Sequence, residues 1–146
     1  MIALIQRVTH ARVTVDGQPI GAIGPGLLAL VAAEPGDTPR QVARLAERLL
    51  GYRVFDDDNG RMNRSLTETQ GGLLLVSQFT LAADTVSGMR PGFSTAAPPA
   101  EAECSFDLLV DTCRKIHAAG VETGRFGAHM VVSLVYNGPV TFLLRP

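Results

Sequence analysis

The sequence predicts a β-dominated domain of the α+β class that carries two main helices. Three observations predict it. β-favouring runs fill the first third of the chain, two segments space their apolar residues as helices do, and the C-terminal stretch returns to β-favouring residues. A length of 146 residues suits a single domain, 1–146, with enough chain for one core and not for two.

Ile2 to Thr9, Arg12 to Val15 and Leu27 to Ala32 read as strands, separated by turns at Asp16-Gly17 and Gly24-Pro25-Gly26. Thr38-Pro39-Arg40-Gln41 is a helix start, with a hydroxyl cap, Pro at the first helical position and Gln three residues after the cap. Val42, Leu45, Ala46 and Leu49 then mark one buried stripe, and Gly51 is expected to end the helix. Asn59-Gly60, between Val54-Phe55 and Met62, reads as a hairpin turn. Its acidic run resembles a calcium loop only superficially, because Phe55 stands where the first acidic ligand would have to be.

Gly72 to Val76 is a continuous apolar run between glycines, as in a strand buried on both faces. Residues 86–99, rich in Gly, Ser and Pro, read as a surface loop. A second helix is expected from about Ala100 to Ala119, burying Ala102, Phe106, Leu109, Val110, Cys113 and Ile116, with Gly120 at its end. A strand from about Ala128 to Val135, a Gly-Pro turn and a strand from Val140 to Leu144 complete the chain.

Charged residues make up 18% of the chain and the net charge is −1, so a long nucleic-acid footprint is not expected; any such contact should be small and end-directed. With no basic leader and no apolar run long enough for a membrane span, the chain reads as cytoplasmic, with no membrane and no DNA partner. Cys104 and Cys113 lie nine residues apart in one expected helix. That spacing, about 13 Å of helix rise, is too long for a disulfide, so both are expected to be buried or half-buried thiols.

The three histidines, His10, His117 and His129, show no metal-ligand spacing, and no HExxH, paired CxxC, Walker or GxSxG motif is present. No metal and no cofactor are expected. His129, in an apolar expected strand, reads as structural. Two segments remain. In "SQFTLAADT", residues 77–85, the hydroxyls of Ser77 and Thr80, the amide of Gln78 and the ring of Phe79 follow a buried strand, a rigid support for ligand-binding groups. Local backbone bonding by the hydroxyls, with Phe79 in the core, explains the same residues. In "YNGPVT", residues 136–141, Gly138 lets a ligand approach its carbonyl and Pro139 fixes φ, but spacing alone favours a plain turn between strands.

At these residues the chain resembles the D-aminoacyl-tRNA deacylases, also known as the D-tyrosyl-tRNA deacylase family. "IQRVTHARVTVDG", "IGPGLLALV", "FDDDNGRMNRSL", "SQFTLAADT", "GMRPGF", "GRFGAHM" and "NGPVTFLL" carry the likeness along nearly the whole chain. "SQFTL" and "GPVT", 60 residues apart, are its most specific pair. The resemblance implies a compact β-barrel-like domain with two flanking helices, and a homodimer with shared active sites. It implies hydrolysis of the ester joining a D-amino acid, or glycine, to the aminoacyl-tRNA acceptor end, without cofactor or metal.

The same likeness implies site roles. Gln78, Phe79 and Thr80 would form the catalytic set. Gly138, Pro139, Arg7, Ser77 and Met130 would bind substrate and select its chirality, Arg7 by bracing the motif. A cis Gly138-Pro139 bond, as in the family, would aim both carbonyls at the substrate's α-ammonium group in the other subunit's site, so that an L-side chain is driven into the motif. Strand-end N–H groups would steady the developing oxyanion. No His or Asp is evidently placed to activate Thr80, so attack by water, aided by the tRNA 2′-hydroxyl, is the preferred route. Gly138→Ala is expected to crowd the place of the substrate's α-carbon. The family commonly has Asn-Asp before Gly-Pro, where this chain has Tyr136-Asn137. The competing readings are a non-catalytic small-ligand-binding oligomeric module and a hydrolase of other esters with Thr80 or Ser77 as nucleophile.

Overall fold

The computed structural model describes all of residues 1–146. Eight strands and three α-helices occur in the order β1 Ile2–Val15, β2 Gln18–Ile23, β3 Gly26–Ala32, α1 Pro39–Gly51, β4 Phe55–Asp56, β5 Met62–Arg64, α2 Leu66–Thr69, β6 Gly72–Ser77, α3 Pro99–Ile116, β7 Val121–Thr123 and β8 Val131–Leu144. A 3-10 turn, Phe79–Ala82, follows β6.

One six-stranded sheet runs β2-β1-β3-β6-β7, with β8 on the far edge of β1, and the β4-β5 hairpin stands apart. The sheet nearly closes into a barrel. β2 comes round onto β7 so tightly that a Cβ on Gly21 would stand 2.6 Å from the Thr123 carbonyl oxygen. The two expected N-terminal strands are one, because β1 is long enough to pair with β3 through Ile2 to Val8 and with β2 through Ala11 to Val15 on the same edge. β8 covers its other edge from Ala3 to Thr14.

Alternation along the strands divides the buried residues between two faces. Leu27, Ala29, Val31, Leu73 and Leu75 meet α1 and α3 in the main core, with Leu45, Leu49, Phe106 and Leu109. Leu28, Leu74, Val76, Val8 and Val13 fill the barrel side. β6 is therefore buried on both faces, as its unbroken apolar run predicts, and it lies parallel to both β3 and β7.

The start of α1 carries the expected cap: Thr38 Oγ1 accepts from the Gln41 N–H while the Gln41 side chain bonds the Thr38 N–H. Gly51 is the last helical residue, but the chain leaves through extended Tyr52 rather than through a left-handed glycine. Helix α3 is shorter than expected, ending at Ile116, which is exposed, and His117 caps it. Tertiary packing accounts for this end: buried His117 places Nε2 2.7 Å from the Gly71 carbonyl, which takes the chain off the helical path. The periodicity reading also passes over α2, a single turn with a Ser65–Glu68 capping box, and over three-residue β7. Cys113 is buried and its thiol is pushed up to about 12 by desolvation, whereas Cys104, expected at least half-buried, is exposed.

Candidate active site

β6 delivers Ser77 to the end of the sheet, where the Gln78 N–H donates to the Val31 carbonyl at 2.7 Å and fixes the exit. Gln78 leaves the strand geometry with φ −144° and ψ 72°, and the chain tightens at once into the 3-10 turn, closed by Leu81 N–H on the Gln78 carbonyl at 3.1 Å. The N–H groups of Phe79 and Thr80 open that turn and so have no acceptor within it. Gln78 Nε2 donates to Thr80 Oγ1 at 2.5 Å. The hydroxyls of Ser77 and Thr80 do not bond the local backbone, so local bonding does not explain these residues.

A cleft of about 420 Å3 opens beside this strand end. Ser77, Gln78, Phe79, Phe126, His129 and Met130 line it, together with Ala97 and, from the start of α3, Pro99 and Ala102. Thr80 stands outside this lining and reaches it through Gln78. Phe79 is not core: it is 55% exposed and packs against Phe93 with ring centroids 5.2 Å apart. The loop bearing Phe93 folds back through paired backbone bonds between Asp84 and Gly92, at 2.8 and 2.9 Å.

The expected strand from Ala128 begins only at Val131, which leaves His129 exposed on the cleft wall instead of structural in a sheet. Its apolar neighbours hid this. The signal lay in "GRFGAHM", where glycines punctuate the approach to β8. One of them, Gly124, gives Met130 its place, since a Cβ there would stand 2.6 Å from the Met130 sulfur.

Gly138-Pro139 is not a turn between strands. β8 runs through it, and Gln6 pairs with Thr141 while Val8 pairs with Tyr136. Arg7 alone therefore faces residues 137–140, which form a wide bulge in an otherwise continuous strand. The Gly138-Pro139 peptide is cis. Arg7 Nε donates to the Asn137 carbonyl at 2.9 Å, and Arg7 Nη1 reaches the Val54 carbonyl at 2.9 Å and Asp56 Oδ1 at 3.2 Å. Within one chain this bulge lies outside the cleft, so Arg7, Gly138 and Pro139 are not brought together with Ser77, Gln78 and Phe79.

Within the chain itself, the space beside Gly138 is already filled. A Cβ there would stand 2.5 Å from Tyr136 Cε1 and 2.7 Å from its Oη, so the residue it meets is the chain's own tyrosine. No group of His, Cys, Asp and Glu side chains clusters as a metal site would.

The family model described as D-Tyr-tRNA(Tyr) deacylase matches residues 4–145. A D-aminoacyl-tRNA deacylase of Xanthomonas oryzae pv. oryzae is 75% identical over 146 residues, covering 100% of both chains. One from Stenotrophomonas maltophilia is 72% identical over the same length, again with 100% of both covered. Among solved structures, a protein described as c-Myc DNA unwinding element binding protein superposes with a TM-score of 0.95 at 36% identity, over 100% of this chain and 99% of its own. A probable eukaryotic D-amino acid tRNA deacylase has a TM-score of 0.84 at 15% identity, over 98% and 97% of the two chains, a likeness of fold. A family match over residues 4–145, with relatives 75% identical along their whole length, makes the chain a member of the D-Tyr-tRNA(Tyr) deacylase family.

Proposed function

We propose that the protein hydrolyses the ester between a D-amino acid, or glycine, and the terminal adenosine of tRNA, and spares L-aminoacyl-tRNA. One observation carries the reading. A cleft at the end of β6 is lined by Ser77, Gln78, Phe79, Phe126, His129 and Met130 together, in a chain 75% identical along its whole length to a D-aminoacyl-tRNA deacylase. The rings of Phe79 and Phe126 suit stacking on a nucleoside base, as single-stranded nucleic-acid sites do. A net charge of −1 suits a grip on the acceptor end alone.

In this reading the ester carbonyl lies by the 3-10 turn, where the free N–H groups of Phe79 and Thr80 receive the oxyanion as water attacks. Thr80 Oγ1, held by Gln78 Nε2, orients the water, and the tRNA 2′-hydroxyl assists proton transfer to the leaving 3′-oxygen. No acyl-enzyme forms. Chirality is read by a second subunit, whose Gly138 and Pro139 carbonyls enter this cleft and accept from the substrate's α-ammonium group. An L-side chain then has no room, and glycine has none to place.

Two features support a homodimer. β8 has a free edge, and Val131, Val135, Tyr136, Phe142 and Leu143 stand exposed along it, an apolar surface that an isolated chain would not leave open. The bulge lies outside its own chain's cleft, so only a partner could supply it. The proposed location is cytoplasmic, where charged tRNA is found, and no helix is long and apolar enough to cross a membrane.

Incubation of the purified protein with D-tyrosyl-, L-tyrosyl- and glycyl-tRNA tests the reading. Release of D-tyrosine and glycine with L-tyrosine retained is expected. Equal stability of all three esters would point instead to a small-ligand-binding oligomer, and turnover of free aminoacyl esters without tRNA to an unselective esterase.

A further inference from the structure

The bulge at Gly138-Pro139 is held at both ends by its own chain. At its start stands Arg7, through the Asn137 carbonyl. At its far end stands the hydroxyl of Tyr136, whose side chain folds back over the bulge that it precedes. The Tyr136 hydroxyl oxygen accepts from the Val140 N–H at 2.6 Å and from Thr141 Oγ1 at 2.7 Å. Val140 is only 3% exposed, so the tyrosine hydroxyl satisfies a buried donor that the bulge removes from the β1–β8 ladder. The ring occupies the space that a side chain on Gly138 would need, 2.5 Å from the Cβ position at Cε1 and 2.7 Å at Oη. Tyr136 thus reaches the middle of the bulge with its ring and the far end with its hydroxyl.

We propose that Tyr136 is a positioning residue for chiral selection: its ring and hydroxyl set where the Gly138 and Pro139 carbonyls stand, without touching the substrate. The proposal rests on the deacylase reading above. Two rotatable bonds and a flat ring make tyrosine a stiff support, since it loses little freedom on being fixed. A filter made of backbone needs such a support, because its carbonyls can be placed only by what holds the chain behind them. The residue at 138 is confined to glycine by the tyrosine at 136, independently of any demand from the substrate.

Steady-state kinetics on D- and L-tyrosyl-tRNA, with amide hydrogen exchange, test this in the parent chain, Tyr136→Phe, Tyr136→Asn, Gly138→Ala and the double variant Tyr136→Asn/Gly138→Ala. Tyr136→Phe is expected to lower kcat on the D-substrate about tenfold with KM within about twofold, as a displaced support does. The Val140 amide should exchange about tenfold faster in it than in the parent, since its acceptor is gone. Gly138→Ala should lose about 100-fold in kcat. Adding Tyr136→Asn should restore about tenfold of that, because the methyl group then has room. A merely structural tyrosine would lower the melting temperature and leave kcat, KM and the D/L ratio of the folded enzyme unchanged. A D/L ratio and kcat at parental values in Tyr136→Asn overturn the proposal alone. Absence of D-selective release by the parent chain overturns the deacylase reading and the proposal with it.

Discussion

Arg7 and Asn137 are joined across the β1–β8 ladder where residues 137–140 bulge out of it, with Arg7 Nε donating to the Asn137 carbonyl at 2.9 Å. The guanidinium serves the Val54 carbonyl as well, so a single side chain links the bulge to the approach to the β4-β5 hairpin. Arg7→Lys cannot reproduce that fork. It is expected to cost about 1–2 kcal/mol in urea denaturation, the scale of a charge-assisted hydrogen bond. Deacylation of D-tyrosyl-tRNA should fall about tenfold or more, because the bulge is then free to shift. Parental kinetics in Arg7→Lys would separate the bulge from the chemistry.

Thr80 decides between the two hydrolytic routes. With water as the attacking group, Thr80→Val loses about 10- to 100-fold in single-turnover rate, because orientation is lost while the oxyanion donors remain. No acyl-enzyme should be trapped on the parent chain by rapid acid quench followed by mass spectrometry. A covalent aminoacyl adduct at Thr80 would overturn the water route.

The two-faced burial of β6 makes a stability prediction. Leu75 is 0% exposed in the main core, with α1 and α3 packed over the same face, and the cavity left by Leu75→Ala cannot easily collapse. A loss of about 2–5 kcal/mol is expected from urea midpoints, with the denaturant slope unchanged. Thr38→Ala, by contrast, removes only a cap and should cost about 1 kcal/mol.

Acid stability should depend in part on Glu34. Partial burial would raise its carboxyl, but the Arg145 guanidinium, at 2.8 Å, and the Met1 ammonium, at 3.1 Å, more than offset this and hold it below the usual range. A carboxylate lowered in the folded state contributes stability above its unfolded pKa, and the contribution is lost as pH falls through the folded value. Arg145→Ala should therefore cost up to about 1 kcal/mol near neutral pH and progressively less below the carboxylate range, read from urea midpoints across that span. A penalty independent of pH would assign Arg145 a packing role.

Much of this molecule is legible from local pattern. The Thr38-Pro39-Gln41 cap, the apolar stripe of α1 and the unbroken run of β6 each state a local free-energy preference that the fold keeps. The elements missed, α2 and β7, are too short for periodicity to reveal and depend on their neighbours. His129 lines the cleft although its neighbours read as a strand, because an apolar context cannot tell a strand interior from the lip of a cleft.

By itself, the sequence determined the α+β class, the caps and the motif set "SQFTL" and "GPVT", because these depend on residues near one another in the chain. Only the tertiary structure decided that β1 is one strand, that β8 passes through Gly138-Pro139 as a bulge opposite Arg7, and that the Tyr136 side chain folds back onto it. The physical reason is that a bulge is defined by the strand across from it, and Gln6 and Thr141, which set its register, lie 135 residues apart.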